Sequence, residues 1–288
     1  MPLPRIAYVN GRYLSARDAL VSVEDRGYQF SDGIYEVCEV KGGAVIDERR
    51  HLERLRRSLG ELRIVMPLSQ RALAVIMRET IRRNRVRDGI VYVQMTRGVA
   101  RRDFAFPPPG TVPSLVVTAR NLDRRGNEKK AAQGLAVITV PESRWARPDI
   151  KSISLLPNVL AKQTARDHGA AEAWFVDRDG RVTEGASSNA WIVTRDGKVV
   201  TRPAADNGIL RGITRTVLIE AVKARNLLFE ERPFTVEEAY AASEAFVTGA
   251  SQIVMPVVRI DDRPIGGGLP GPVAKALRES FHRHAEWS

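Results

Sequence analysis

One short stretch changes its hydrophobic period, and that change constrains the fold more than any other feature. In "GIYEVCEVKGGAVID", residues 33–47, apolar and polar side chains alternate on both sides of a Gly-Gly pair. That pattern is typical of a β-hairpin with a tight turn, and it places Tyr35, Val37 and Glu39 on one strand face. The next residues, "ERRHLERLRRSLGEL", space their leucines three or four apart, which predicts an amphipathic helix. A strand pair followed directly by a one-sided helix predicts an α+β fold, in which a helix covers a sheet.

Strand and helix patterns continue along the chain in two groups, which one polar stretch separates. The first half has strand patterns in "RIAYVNGRYL", "GIVYVQMTRG" and "SLVVTAR" and a second helix at about Ser69 to Asn84. The second half has strand patterns in "GLAVITV", "EAWFVD", "NAWIVT" and "EAFVTG", a hairpin turn at residues 195–197, and helices after Pro157 and Gly212. The polar stretch between them, "NLDRRGNEKKAAQ", loses all apolar periodicity. For a chain of 288 residues we therefore expect a first domain at 1–120, a linker at 121–133 and a second domain at 134–288.

The charge of the chain raises the possibility of a nucleic-acid partner. The formal charge is +11 and the pI is about 10.2, which is the compositional mark of such proteins. The arginines are dispersed, however, and the densest group, "RETIRRNRVR", continues a helical pattern and reads as a solvated helix face. With one cysteine, Cys38, and neither a signal peptide nor a membrane-length apolar run, we expect a soluble cytoplasmic protein with no nucleic-acid or membrane partner.

Two other patterns carry little weight. Residues 266–271, "GGGLPG", match the G-x-G-x-x-G pattern of dinucleotide-binding loops, but the 17 residues that follow are too few for the rest of such a unit. We interpret the stretch as a turn. The four histidines lack the short paired spacing of metal ligands, so no metal is expected.

The stretch "PDIKSISLLPNVLAKQ" places a lysine where a solubilising charge has no evident role. In an extended backbone Lys151 shares a face with Ile153 and Leu155. A lysine that burial keeps partly neutral is a nucleophile toward carbonyl groups, although such a lysine can also pair with an acid or extend to solvent. An acid is available in "RVTEGASSNAWIV", where Glu184 lies in a bend of small and hydroxyl-bearing residues.

Four separated motifs together resemble one enzyme family. "DRGYQFSDGIYEV", "DIKSISLLPNVLAKQ", "VTEGASSNAW" and "ILRGITR" are similar to the fold-type IV pyridoxal-phosphate-dependent aminotransferases, and within them to the D-amino acid aminotransferases. The resemblance runs from about Ala7 to Phe281 and implies the two-domain α+β architecture of that family. It also implies pyridoxal 5'-phosphate as the cofactor.

The resemblance assigns roles around that cofactor. Lys151 is the lysine that forms the Schiff base and moves the proton, and Glu184 bonds the pyridine nitrogen, which makes the ring an electron sink. The phosphate is bound by Arg54 and by backbone amides, those of Ile213, Thr214, Gly249 and Ala250. Without the resemblance, Arg54 reads as a solvated helix arginine.

The resemblance also assigns substrate groups. Tyr35 lies beside the Schiff base and Arg102 binds the substrate carboxylate, in a site completed across a homodimer interface. Phe104 stands where close relatives have a histidine, so one hydrogen-bond donor is missing. The implied activity is amino transfer between D-amino acids, with D-alanine and D-glutamate first, and 2-oxo acids. The alternatives within the family are a branched-chain L-amino acid transaminase, an amine transaminase or an aminodeoxychorismate lyase, and outside it a basic nucleic-acid-binding protein.

Overall fold

The fold is that of a computed structural model, and the structure describes residues 5–288. The chain forms two compact units. Unit 1 contains the described residues up to Asp123, together with Ile150–Ser154 and Glu286–Ser288, and unit 2 contains Arg124–Asp149 and Leu155–Ala285. The predicted first domain therefore begins in residues that lie outside the described part.

Unit 1 is an antiparallel sheet with helices on its apolar face. Its elements are β1 (Ile6–Val9), β2 (Arg12–Ser15), α1 (Arg26–Phe30), β3 (Gly33–Lys41), β4 (Ala44–Val45), α2 (Glu48–Glu61), α3 (Gln70–Arg83), β5 (Gly89–Thr96) and β6 (Ser114–Asn121). The strand order is β2-β1-β6-β5-β3-β4. The predicted hairpins form: Val9 pairs with Arg12 across Asn10-Gly11, and Lys41 pairs with Ala44 across Gly42-Gly43.

Helices α2 and α3 lie where their periodicity predicts, whereas the short α1 has no such signal. Ser69 caps α3 by accepting a hydrogen bond from the amide of Ala72, which satisfies one of the unpaired donors of the first turn. The leucines of α2 and the apolar residues of α3 pack with β3, β5 and β6 in one core. In the arginine-rich end of α3, Arg82 and Arg83 are exposed and both contact the carboxylate of Glu79, so this group is a solvated and partly neutralised face.

Unit 2 is a mixed sheet with helices. Its elements are α4 (Arg124–Gln133), β7 (Leu135–Pro141), α5 (Leu156–Asp167), β8 (Glu172–Val176), β9 (Arg181–Gly185), β10 (Asn189–Val193), β11 (Val199–Thr201), α6 (Ile213–Ala224), β12 (Phe229–Glu231), β13 (Phe234–Thr235), α7 (Val236–Ala241), β14 (Glu244–Gly249), β15 (Ile253–Ile260), β16 (Arg263–Pro264) and α8 (Pro272–His284). The strand order is β12-β11-β10-β14-β15-β7-β8-β9-β13, with β16 paired to β15. Residues 266–268 form a short 3₁₀ turn, as interpreted above.

The structure differs from the expected domain boundaries in two places. The polar stretch at 121–133 is not a free linker, because its last ten residues form α4, which contacts β15 of unit 2. The segment that carries Lys151 belongs to unit 1 and not to the C-terminal unit. Hydrophobic period could not reveal either point: α4 buries one residue, Ala131, and the return of Ile150–Ser154 to unit 1 depends on tertiary pairing.

Candidate active site

Lys151 is held on unit 1 by its own backbone. Its carbonyl accepts a hydrogen bond from the amide of Tyr35 at 3.0 Å, and its amide donates to the Ser58 hydroxyl at 3.3 Å. Ile150 is buried in the core of unit 1, and Ser152 forms an isolated β-bridge with Ile34. Ile150 and Ser152 are buried, while Lys151 is half-buried.

The Lys151 amine faces an aromatic ring. Its Nζ lies 4.2 Å from the ring centroid of Tyr35, and that ring stacks on Tyr92 with centroids 5.7 Å apart. The Tyr92 hydroxyl donates to Gln94 at 2.7 Å, and burial raises the pKa of Tyr92 to about 12. Among the described residues no carboxylate lies within ion-pair distance of Lys151, so the amine is not held in a salt bridge.

Arg54 is part of a buried charged group on α2 and β3. It donates from Nε and Nη2 to the two carboxylate oxygens of Glu36, each at 2.7 Å. His51, one turn earlier on α2, contacts Glu36 through Nδ1 at 2.8 Å. The side chain of Arg54 is 9% exposed, so its reading as a solvated helix arginine is wrong. Hydrophobic spacing shows that Arg54 borders the helix stripe, but it cannot show that a carboxylate lies opposite.

The ionisation of this group follows from burial and from its internal pairing. Burial opposes the charge on Glu36, but the charge and hydrogen bonds of Arg54 outweigh it and hold the pKa of Glu36 at about 2. Burial also lowers the pKa of His51 below its usual value, although Glu36 acts against this shift. His51 is then neutral at pH 7 and donates its Nδ1 proton to the Glu36 carboxylate.

Sequence reasoning missed Glu36, although the sequence contains a signal. Glu36 lies between Ile34 and Cys38 on the inward face of β3, where both neighbours are apolar and buried. A carboxylate at such a position requires a buried cation. The arginine on the facing helix is that cation.

The loop between β5 and β6 carries Arg102 and Phe104. The ring of Phe104 is 87% exposed, so it does not turn into the core. Its centroid lies 5.5 Å from that of Phe30, and the guanidinium carbon of Arg102 lies 4.6 Å from the same ring. No hydrogen bond joins Arg102 to Tyr35 within the described chain.

In unit 2, Glu184 at the end of β9 accepts hydrogen bonds from Arg144, Leu210 and Asn189. Oε1 accepts from Arg144 in a short ion pair and from the amide of Leu210 at 3.1 Å, and Oε2 accepts from Asn189 at 2.9 Å. Arg144 also forks onto Glu142, with Nε–Oε1 at 2.9 Å and Nη2–Oε2 at 2.6 Å. Burial disfavours the charge on Arg144, but these two carboxylates outweigh it and raise its pKa.

Sequence reasoning also missed Arg144 and Asn189. Arg144 is one of many arginines, and no local pattern separates it from the exposed ones. Asn189 follows the bend that carries Glu184, and its importance rests on a contact 21 residues away, where Nδ2 donates to the carbonyl of Leu210 at 2.9 Å.

The turn before α6, which carries two of the predicted backbone donors, lies close to Asn189, a hydrogen-bond partner of Glu184. Helix α6 begins after Gly212, which has no side-chain cap, so the first-turn amides of Ile213 and Thr214 face outward from the helix end. A Cβ on Gly212 would clash with Oδ1 of Asn189, which shows how closely this turn approaches the Glu184 partner.

The second predicted pair of backbone donors, Gly249 and Ala250, lies at the end of β14, the strand that pairs with Asn189. Asn189 pairs with Thr248 across β10 and β14, and Gly249 and Ala250 follow directly. A Cβ on Gly249 would lie 3.3 Å from the Ser187 carbonyl. Unit 2 thus joins one fixed carboxylate to several backbone donors, an arrangement that suits an anion bound beside a protonatable ring nitrogen.

The two units therefore offer complementary chemistry. Unit 1 supplies an amine outside any ion pair and a buried arginine, and unit 2 supplies the carboxylate and the amide donors. These are the chemical groups that a phosphorylated heteroaromatic aldehyde such as pyridoxal phosphate requires: an amine for its carbonyl carbon, a cation and amides for its phosphate, and a carboxylate for its ring nitrogen. Among the described residues, no group of three or more histidine, cysteine, aspartate or glutamate side chains is arranged to hold a metal ion, and none of the helices combines the length and apolar character needed to cross a bilayer.

Comparisons with known proteins give a consistent family assignment. Residues 33–260 match the model of the family described as Amino-transferase class IV. A D-alanine aminotransferase of Staphylococcus haemolyticus is 39% identical over 279 residues, which is 97% of each chain. A D-alanine aminotransferase of Bacillus licheniformis is 39% identical over 272 residues, which is 94% of each chain.

The solved structures that resemble this chain include a branched-chain aminotransferase from the archaeon Thermoproteus uzoniensis, with norvaline. It superposes with a TM-score of 0.84 and 26% identity, over 97% of this chain and 94% of that one.

Proposed function

Since the chain belongs to the class IV aminotransferase family, we propose that it is a pyridoxal-phosphate-dependent transaminase that moves the amino group between D-amino acids and 2-oxo acids. D-alanine and D-glutamate are the proposed donors. The 39% identity to D-alanine aminotransferases over nearly the full length supports this activity.

The observation that carries the proposal is the state of Lys151. Its backbone is fixed by hydrogen bonds on both sides, and its amine lies on the Tyr35 ring without a carboxylate partner in the described chain. A fixed amine outside any ion pair is available to bond a carbonyl carbon and to accept or return a proton at a substrate carbon. A structural lysine would instead pair with an acid or extend its amine into solvent.

The remaining residues then have definite tasks. Glu184 would hold a proton on the pyridine nitrogen, and the cofactor, when bound, supplies an electron sink for the carbon that loses its proton. Arg54 and the amides of Ile213 and Thr214 would bind the phosphate. The amides of Gly249 and Ala250 would add donors; Ala250 offers its backbone and no hydroxyl.

The substrate carboxylate is assigned to Arg102 and Tyr35. Phe104 replaces a possible donor by an exposed apolar ring, which favours substrates with apolar side chains. A branched-chain L-amino acid transaminase is the second candidate, supported by that ring and by the similarity to the Thermoproteus uzoniensis structure.

We also propose that the enzyme is a cytoplasmic homodimer with amino acids and 2-oxo acids as partners and no nucleic-acid or membrane ligand. Exposed apolar residues support the dimer. They cluster before and within α1 and in the adjoining β5–β6 loop: Leu20, Val21, Val23, Tyr28 and Phe104. An apolar cluster of this kind is typical of a surface covered in an assembly.

A half-reaction screen tests the activity. Protein loaded with pyridoxal phosphate is mixed with D- and L-alanine, D- and L-glutamate, L-leucine and simple amines, and the change in visible absorbance is followed. We expect D-alanine and D-glutamate to react at least about tenfold faster than their L-enantiomers, a difference of about 1.4 kcal/mol in activation free energy.

The control for this screen is a pair of lysine variants. Lys151→Ala should abolish steady-state transamination, while Lys275→Ala, on the exposed face of α8, should leave it unchanged. Faster reaction with L-leucine than with any D-amino acid would favour the second candidate. Turnover by Lys151→Ala at the wild-type rate would contradict both.

A further inference from the structure

Within unit 1, helix α1 contacts the β5–β6 loop. Arg26 and Phe30 are four residues apart and therefore lie on the same helix face. Arg26 is buried, pairs with Asp32 at 2.8 Å and donates from Nη1 to the carbonyl of Asp103 at 2.6 Å. The loop backbone is thus fixed at Asp103, which lies between Arg102 and Phe104.

The side chains on both sides of Asp103 contact one ring. The guanidinium carbon of Arg102 lies 4.6 Å from the centroid of Phe30, and the ring of Phe104 lies 5.5 Å from it at an angle of 47°. The guanidinium of Arg26 lies 4.8 Å from the same centroid. Phe30 is therefore the common contact of the helix and the two loop side chains.

Arg102 has no other restraint in the described part of the chain. It is exposed, and no hydrogen bond or ion pair to its side chain is present among the described residues. A cation–π contact uses the face of the guanidinium and leaves its N–H donors free. Phe30 can consequently orient Arg102 without consuming the donors that a carboxylate needs.

We propose that Phe30, supported by Phe104, is a positioning residue that holds Arg102 in the orientation that binds the substrate carboxylate. The inference rests on the proposed function and adds a specificity determinant to it. In this chain an aromatic pair does the orienting, where a donor at position 104 would bind the carboxylate itself. Loss of the ring releases Arg102 into several rotamers and weakens binding of the carboxylate, while the chemical step is unaffected.

The test compares two identical substitutions in the holoenzyme. Phe30→Leu removes the ring under Arg102. Phe106→Leu, on the same loop, removes a ring that lies under Arg97 and Arg63 at 3.7 and 4.7 Å and serves as the control. Propionate, a carboxylate without an amine, is the binding probe, titrated by calorimetry, and kcat and KM are measured with D-alanine.

We expect Phe30→Leu to raise KM for D-alanine and Kd for propionate about 2- to 5-fold, with kcat within about twofold, because an exposed cation–π contact has that strength. Phe30→Tyr should retain wild-type values, and Phe106→Leu should leave both constants unchanged at equal melting temperature. In an Arg102→Met background, Phe30→Leu should have no further effect on either constant.

Two outcomes overturn the inference: unchanged propionate affinity in Phe30→Leu, or the same loss of affinity in the Arg102→Met background. Wild-type protein that binds propionate through Arg102 but does not transaminate D-amino acids would overturn the proposed function and leave the role of Phe30 standing.

Discussion

At the scale of single residues, the candidate site is built from charges whose state is set by burial. Glu36 contacts Arg54 and His51 in the interior of unit 1, and Glu184 contacts Arg144 and Asn189 in unit 2. In each case a carboxylate fixes, or is fixed by, an arginine before any ligand binds. Preorganised charges of this kind bind a ligand without a further cost of ordering side chains.

The Glu36 group predicts how stability changes with pH. The folded pKa of Glu36 is about 2, below the usual 4.5, so the stabilisation is complete above about pH 4.5 and is lost as the pH falls toward 2. A shift of that size corresponds to about 3 kcal/mol. His51 has a folded pKa below its usual 6.5, so its contribution is also lost on acidification and begins to fall below about pH 6.5.

Glu36→Gln tests this assignment. The variant leaves Arg54 buried without the Glu36 charge and should lose about 3–5 kcal/mol at pH 7. The further loss of stability between pH 4.5 and 2 should be smaller than in the wild type by the part that belongs to Glu36. Urea denaturation at several pH values measures both effects. The exposed pair partner Glu53 on α2 offers a control, since Glu53→Gln should change stability by less than about 1 kcal/mol. Equal effects of the two variants would contradict the assignment.

At the scale of elements, the position of the first turn of α6 depends on Gly212, which has no side chain. Gly212 precedes the helix with φ −61°, a value that any residue adopts. Position 212 therefore requires glycine because there is no room for a Cβ atom, and not because of its backbone conformation. The nearest atom to an added Cβ would be Oδ1 of Asn189, which would lie inside van der Waals contact. The helix end can approach the Glu184 partner because position 212 has no Cβ.

Gly212→Ala should therefore disturb the site through Asn189. We expect a loss of about 1–3 kcal/mol in stability, as for overpacked interiors, and weaker binding of pyridoxal phosphate, measured by fluorescence titration. The control is Gly60→Ala in α2, where no atom lies within 4 Å of the added Cβ, and which should be neutral or slightly stabilising. Wild-type cofactor affinity in Gly212→Ala would show that the turn has room to move.

At the scale of the whole molecule, the exposed apolar cluster of unit 1 is the feature that a single chain does not explain. Val23 is 74% exposed and Tyr28 76%, and both lie in or next to α1, which holds the loop that carries Arg102. A second copy that covers this cluster would also lie against that loop. Assembly and substrate binding would then depend on the same surface.

Size-exclusion chromatography with light scattering tests the dimer. The wild type should have twice the mass of the 32.0 kDa chain, and Val23→Asp should shift it toward the monomer and weaken binding of carboxylates. Val75→Asp, at an exposed valine on α3 that is not part of this cluster, should remain dimeric. A monomeric wild type would remove the dimer from the proposal.

The sequence by itself determined the local structure and the chemistry available. Alternation and glycine turns predicted the hairpins of β1–β2 and β3–β4, and leucine spacing predicted α2, because side-chain direction repeats with the backbone period. The motifs around Lys151 and Glu184 predicted the family. Each of these signals spans only a few neighbouring residues, so it can be read from a single segment.

The tertiary structure alone decided the partners. Glu36 opposite Arg54, Arg144 on Glu184, and Phe30 under Arg102 join residues 18, 40 and 72 positions apart. Arg54 and the exposed arginines of α3 are the same residue type and both lie on amphipathic helices. They differ in the side chain that the fold places opposite them. Burial sets the ionisation of these groups, and burial is a property of packing that no local pattern contains.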